Sequence, residues 1–215
     1  CRDVAVTNCV LSTACNAFKL GTETNGGFED IVLSNSTIYD TALSGIALEI
    51  VDGGTMDRVA ISNVTMRGVG APLFVRLGDR ARPPVPDGPR QPAGRLRNVT
   101  VRGVRAAGAG KVGCALAGLP GHEIENLALE DIRLEFAGGG TAADAAAQPE
   151  ERPDKYPEFK MFGTLPAYGF YCRHIRGLRL RDVDLVARQP EARPPMICDA
   201  VQGLSIEHGP EVTWR

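Results

Sequence analysis

The sequence has no continuous apolar stretch of the roughly eighteen residues that a membrane-spanning helix needs. It also lacks an excess of positive charge, since 24 Lys and Arg residues stand against 26 Asp and Glu residues and the net charge is -2. This balance does not favour nucleic acid, whose phosphates require a basic surface. No basic segment followed by an apolar segment opens the chain, so no export signal is visible. We therefore expect neither a membrane span nor a nucleic-acid partner.

Metal-binding patterns are scarce as well. The six cysteines include no Cys-x-x-Cys pair, and His122, His174 and His208 do not have metal-ligand spacing. We therefore predict no metal site and no cofactor. The even number of cysteines leaves room for a disulfide such as Cys1 with Cys9, although sparse cysteines in a repeat protein are more often small buried hydrophobic residues. Because the chain begins with Cys1 and not with Met, we expect a processed protein or part of a longer one.

The sequence contains a repeated motif in which apolar and polar residues alternate. The first apolar residues of the seven copies stand at positions 4, 31, 59, 99, 127, 178 and 204, so most of the intervals are nearly equal and two are longer. Alternation with a period of two predicts β-strands rather than helices. Most copies are followed by a second alternating stretch, such as Ile46–Ile50 or Leu73–Leu77.

Two insertions account for the long intervals. Residues 78–95 contain five prolines, and residues 137–171 begin with a stretch rich in glycine and alanine. One repeat cannot bury its own apolar face, whereas stacked repeats pair like strand with like strand. The sequence therefore predicts one all-β domain over residues 1–215, a single-stranded parallel β-helix (a solenoid) of about seven coils with these two insertions.

A turn-forming residue recurs four positions after the first apolar residue of most copies. A corner at one place in successive coils is expected there, where stacked asparagine side chains can bond to the next coil. The residues are Asn8, Asn35, Asn63, Gly103, Asp131 and Asp182.

Several segments resemble glycoside hydrolase family 28, the polygalacturonase family. They are Cys15–Gly27, Ser44–Gly54, Ala71–Leu77, Gly118–Asn126 and Tyr156–His174, so the resemblance covers nearly the whole chain. Its most distinctive part is Leu20-Gly-Thr-Glu followed by Gly26-Gly27. The resemblance implies a right-handed parallel β-helix, a secreted or periplasmic location, and hydrolysis of pectin-type polysaccharide with inversion.

The expected catalytic segments are not in this sequence. In the family, an Asn-Thr-Asp segment and an Asp-Asp pair supply the acid and the base. Neither occurs here, and both precede the glycine-rich coil in family members. The resemblance therefore implies catalytic carboxylates upstream of Cys1, and we expect this chain alone to be inactive.

Two further family motifs are altered. The Gly-His-Gly motif falls on Cys15-Asn16-Ala17, and the Arg-Ile-Lys motif that binds the sugar carboxylate falls on Ala47-Leu48-Glu49. An acid at Glu49 would repel a galacturonate carboxylate held in the same place. This departure leaves room for a neutral sugar, such as rhamnose in a mixed pectin, or for a carboxylate-binding group placed elsewhere.

Strand alternation indicates which polar side chains face outward. It places Lys19, Glu49 and Arg76 in one column on successive coils, with Asp52 and Arg80 just beyond the same strands. The predicted substrate-binding residues are Asn16, Lys19, Glu49, Asp52, Arg76 and Arg80. They form either a wall that contacts sugars or a solvated ladder of ion pairs. The aromatic cluster between Tyr156 and Tyr171 either lines a cleft or belongs to a loop folded against the outside.

Two other functions remain open. A β-helix of this kind can bind polysaccharide without cleaving it, as an adhesin or binding module. Calcium-dependent pectate lyase is the weaker alternative, because no strand carries the acidic cluster that would bind the metal. In each case we expect a monomer whose partner is a polysaccharide.

Overall fold

The computed structural model describes all 215 residues and contains eleven strands and one short helix. The strands are β1 Arg2–Thr7, β2 Val10–Leu11, β3 Phe18–Leu20, β4 Phe28–Ile50, β5 Thr55–Leu77, β6 Arg95–Ala109, β7 Cys114–Ala117, β8 Ile124–Phe136, β9 Phe170–Ala187, β10 Met196–Glu207 and β11 Val212–Trp214. The helix, α1, spans Ala142–Ala145. No helix of the chain is long and apolar enough to cross a membrane.

The long strands pair through the repeated motif. Each copy pairs in parallel and in register with the next, so the first apolar residues form one continuous row. In-register pairing places every second side chain on the same side of the sheet, and the apolar residues therefore stack on one another. The row consists of Val4, Ile31, Val59, Val99, Leu127, Leu178 and Leu204.

The predicted corners are confirmed. All six turn-forming residues lie in the left-handed region, with φ between 49° and 62°. Asparagine, aspartate and glycine tolerate this conformation better than other residues. The asparagines also bond to each other, since Asn63 Nδ2 donates to Asn35 Oδ1 at 2.8 Å.

The fold class differs from the prediction. A single-stranded right-handed solenoid was expected, and this expectation is wrong because the strand pairing closes on itself. β5 pairs with β6, β6 with β8, β8 with β9, β9 with β7, and β7 pairs back with β5. These five parallel strands form a closed barrel, and the other strands extend the sheet from it.

The position of β7 explains the closure. After Phe136 ends β8, the chain enters a long connection and does not form a short strand beside β7. β7 therefore has β5 on one side and β9 on the other, so that Leu116 pairs with both Val75 and Cys172. The sequence indicates the insertion, but not the pairing of β7 with β9.

Two long segments connect strands without adding strands to the sheet. The first connection, residues 78–94, joins β5 to β6, and the second connection, residues 137–169, joins β8 to β9. The main core fills the space inside the strands. A second apolar layer lies outside them, where Phe159, Phe162 and Leu165 of the second connection pack with Phe74 and Tyr171. Part of the outer face of the strands is therefore covered.

Candidate functional site

The outer face of β3, β4 and β5 carries most of the predicted binding residues, but not in the predicted column. Glu49 pairs with Arg76, whereas Lys19 pairs with Ala47. Because Leu20 at the end of β3 pairs with Leu48, the residue that follows it, Gly21, lies beside Glu49. The prediction of a single column was therefore wrong, because Lys19 lies two residues before Gly21, the neighbour of Glu49. A Cβ at Gly21 would lie 2.9 Å from Glu49 Cβ.

The second connection buries part of this face. Glu49 and Arg76 are only 0% and 1% exposed, although strand alternation placed them on the outside. The aromatic residues Phe159 and Phe162 of the second connection are also buried, and they cover Phe74 on the outer face of β5. The aromatic cluster thus belongs largely to a segment folded against the strands. The two charges lie beneath it rather than on a wall open to solvent.

Arg76 binds the second connection through main-chain carbonyls. Its Nη2 donates to the carbonyls of Glu151 at 2.8 Å and Arg152 at 3.2 Å, and its Nη1 donates to the carbonyl of Gly118 at 3.2 Å. The guanidinium also lies over the ring of Phe162, 5.4 Å from the centroid. Burial lowers the pKa of Arg76 to about 10, so the side chain stays charged at neutral pH. We assign Arg76 a positioning role.

Glu49 is an enclosed carboxyl group. Lys19 Nζ pairs with its Oε2 at 2.9 Å, and Oε1 is buried without a hydrogen-bond partner. Burial raises the pKa of Glu49 to about 7; Lys19 opposes this rise and the negative charge of Glu158 adds to it. Burial therefore favours the protonated form of Glu49.

Asp52 anchors the first connection. It is fully buried, and its Oδ1 accepts hydrogen bonds from Arg80 Nε at 2.8 Å and from the main-chain N–H of Arg82 at 3.0 Å. Arg80 Nη2 contacts the other carboxylate oxygen. The bond to Asp52 raises the pKa of Arg80. Because its oxygens are occupied in this way, Asp52 is a structural partner of the first connection.

An exposed aromatic ring lies next to these charges. Tyr156 in the second connection is 57% exposed, and Lys19 Nζ and Arg80 Cζ lie 5.2 Å and 5.6 Å from its ring centroid. We call these three residues the tyrosine platform. Three distant parts of the chain build it: β3, the first connection and the second connection. Tyr156 does not stand out in the sequence by itself, although it opens the aromatic cluster of the second connection.

A groove of about 410 Å³ is lined in part by the first connection, which also contributes Arg80 to the platform. Its lining comes from the loop before β4, the loop after β4 and the first connection. The lining residues are Glu23, Asn25, Asp52, Arg82, Pro83, Pro84, Val85, Pro86 and Asp87. Arg82 has a side chain that is 58% exposed and lies 3.5 Å from Glu23, so it offers a solvent-accessible cation.

The remaining predicted residue, Asn16, is not part of the platform. Its Oδ1 accepts a hydrogen bond from the main-chain N–H of Ser44 at 2.9 Å and so connects the turn before β3 to β4. A charged network around Arg173 and His174 lies further along the same face. Arg173 contacts Glu151 at 2.7 Å and Asp199 at 2.9 Å, and His174 Nε2 lies 2.8 Å from Glu151 Oε1. This network is a further attachment of the second connection.

A separate groove of about 480 Å³ contains His122, Glu123, Glu125 and Arg176. Its two carboxylates contact Arg176 at 3.0 Å and 3.6 Å. No group of three or more His, Cys, Asp or Glu side chains is placed to bind a metal ion, and all six cysteines are free thiols.

An exposed tyrosine with cations over its ring can contact a sugar together with an anionic substituent. Comparison with known proteins does not add a family assignment, since no family model matches the chain and no curated protein or solved structure is significantly similar to it.

Proposed function

We propose that this chain binds pectin-type polysaccharide at the tyrosine platform and belongs to a polygalacturonase-like glycoside hydrolase that acts with inversion. The observation that carries the proposal is the exposed Tyr156, whose ring lies within reach of the Lys19 and Arg80 cations. The apolar face of a pyranose stacks on such a ring, and a neighbouring ammonium attracts a carboxylate. The resemblance to glycoside hydrolase family 28 in the surrounding segments supports the same substrate class.

The charges around the ring support a substrate that carries both hydroxyl groups and some negative charge. Arg80 is neutralised by Asp52, whereas Lys19 is opposed only by the enclosed Glu49. Arg82 and Glu23 add exposed polar groups along the groove. A chain of several sugars can therefore contact the ring at one point and the groove at another.

A non-catalytic polysaccharide-binding module is the second candidate. Inverting hydrolysis needs an acid and a base carboxyl group roughly 6.5–9.5 Å apart, with room for water between them. At the platform, Asp52 is bound by the first connection and Glu49 is enclosed, so no two open carboxyl groups face the ring. This arrangement favours binding over chemistry at the platform itself.

Calorimetric titration with partly methyl-esterified oligogalacturonides tests the proposal. We expect Tyr156→Ala to weaken binding by about tenfold through loss of ring stacking. Trp214 is the matched control, because it is also 57% exposed but lies in the last strand. Trp214→Ala should leave binding unchanged. Absence of binding by the unmodified chain, or equal losses in both variants, would overturn the proposal.

Release of reducing ends separates the two candidates. The protein expressed from its complete gene should release them from polygalacturonate or a mixed pectin if it is a hydrolase. Binding that depends on Tyr156 without any release would instead establish the binding module.

A further inference from the structure

The enclosed carboxyl group of Glu49 lies against Lys19, one of the two cations of the tyrosine platform. It is fully buried, and Gly21 leaves room for it because a Cβ at that residue would come within 3.0 Å of Glu49 Oε2. Lys19 Nζ is 2.9 Å from Glu49 Oε2 and 5.2 Å from the ring centroid of Tyr156. One ammonium group therefore serves both the buried carboxyl group and the exposed ring.

A second unsatisfied carboxyl group belongs to the same cluster. Glu158 Oε1 is buried without a hydrogen-bond partner, and Oε2 accepts the main-chain N–H of Lys160 at 3.3 Å. Its negative charge opposes ionisation of Glu49. Glu158 comes from the second connection, close to Tyr156 in sequence.

The other charges near Glu49 do not replace Lys19. Arg80, from the first connection, is already bound to Asp52. Arg76, the in-register neighbour on β5, donates to main-chain carbonyls. Lys19 is the only cation within salt-bridge distance of Glu49.

We propose that binding of a carboxylate-bearing sugar at the tyrosine platform is coupled to uptake of one proton by Glu49. When Glu49 is ionised, its carboxylate and the sugar carboxylate compete for Lys19. When a proton from solvent is added to a Glu49 oxygen, Lys19 has a full charge free for the sugar. The sugar carboxylate stays ionised, Lys19 stays an ammonium, and no other bond changes. This inference depends on the proposed function, because it requires that the platform bind sugars.

The direction of the pH dependence follows from the burial of Glu49. Its pKa of about 7 means that the neutral form dominates below that pH and the ion pair with Lys19 dominates above it. Binding of the anionic sugar is therefore strongest on the acid side and weakens as the pH rises. An acid at Glu49 is thus compatible with a uronate when the acid is neutral, contrary to the repulsion expected from the sequence.

The test is calorimetric titration with trigalacturonate and with its methyl ester. For the unmodified chain, affinity for trigalacturonate should fall up to about tenfold per pH unit above the Glu49 pKa. Affinity for the uncharged ester should not change. Near neutral pH, the heat of trigalacturonate binding should depend on the ionisation enthalpy of the buffer, which reports uptake of a proton.

Two variants locate the proton. Glu49→Gln should bind trigalacturonate with the affinity of the acidic form at every pH and without buffer-dependent heat. Glu158→Gln should shift the midpoint to lower pH because a like charge is removed, and this variant tests the inference even if Glu49→Gln does not fold. Glu207→Gln, an exposed acid on β10, is the matched control and should behave as the unmodified chain.

The outcomes distinguish this inference from the proposed function. An unchanged pH profile in Glu49→Gln, or an unshifted midpoint in Glu158→Gln, would overturn the proton coupling. Binding of the ester but not of trigalacturonate at any pH would overturn it as well, while the platform would remain a sugar site. If neither ligand binds at any pH, the proposed function fails and the inference fails with it.

Discussion

Glu49 and Arg76 are in-register neighbours on adjacent parallel strands, yet their opposite charges do not form an ion pair with each other. Glu49 contacts Lys19 on β3, and Arg76 donates to carbonyls of the second connection. Each buried charge is thus tied to a segment distant in sequence. The outer face is an assembly of strands and connections, and its properties depend on how the connections are attached.

Removal of the Arg76 guanidinium should loosen the second connection. We expect Arg76→Met to lower the free energy of unfolding by about 2–4 kcal/mol, since buried carbonyls lose charged donors. Limited proteolysis should also become faster near Glu151 and Arg152. Urea unfolding and a proteolysis time course measure the two effects.

Arg67→Met is the control for this prediction. The Arg67 side chain is 65% exposed, approaches Asp40 at 3.7 Å and lies 4.7 Å from the ring centroid of Tyr39, so its loss should change stability by less than about 1 kcal/mol. Equal effects of the two substitutions would show that Arg76 does not position the second connection.

Glycine is required at position 21 for two reasons. Its φ is +139°, and a Cβ would lie 2.9 Å from Glu49 Cβ. We expect Gly21→Ala to destabilise the fold by about 1–3 kcal/mol through backbone strain and overlap. Gly26→Ala is the matched control, because nothing lies within 4 Å of a Cβ there. Thermal unfolding of both variants provides the comparison, and a Gly21→Ala variant as stable as Gly26→Ala would contradict the packing described here.

Stability should depend on pH through Glu49. Its pKa in the folded protein, about 7, lies above its ordinary value of 4.5, so the folded state retains the proton more strongly than the unfolded state. The stabilising contribution is therefore complete below pH 4.5 and is lost as the pH rises through 7. Glu49→Gln should lack this decline. The measurement is the difference in unfolding free energy between the two proteins across this range, and a constant difference would show that Glu49 does not titrate there.

The local features of the fold could be predicted from the sequence. The row from Val4 to Leu204 follows from alternation with a period of two, and the corners at Asn35 and Asn63 follow from residues that tolerate positive φ. Both are properties of a few neighbouring residues that recur in each repeat.

The closure and the site could not be predicted in the same way. β7 can pair with β9 because the second connection contains no strand. Glu49 and Arg76 are buried because the same connection packs over them. Tyr156 contacts Lys19 although most of the chain lies between them in sequence. Such contacts are set by the packing of whole segments, which alternation within one strand does not describe.

A crystal structure of the chain with bound trigalacturonate, obtained about one pH unit below the Glu49 pKa of about 7, would show directly whether the tyrosine platform binds the sugar. We expect a galacturonate ring stacked on Tyr156, with its carboxylate at Lys19. A sugar bound instead in the groove beside His122 and Glu123, with the Tyr156 ring unoccupied, would contradict this expectation.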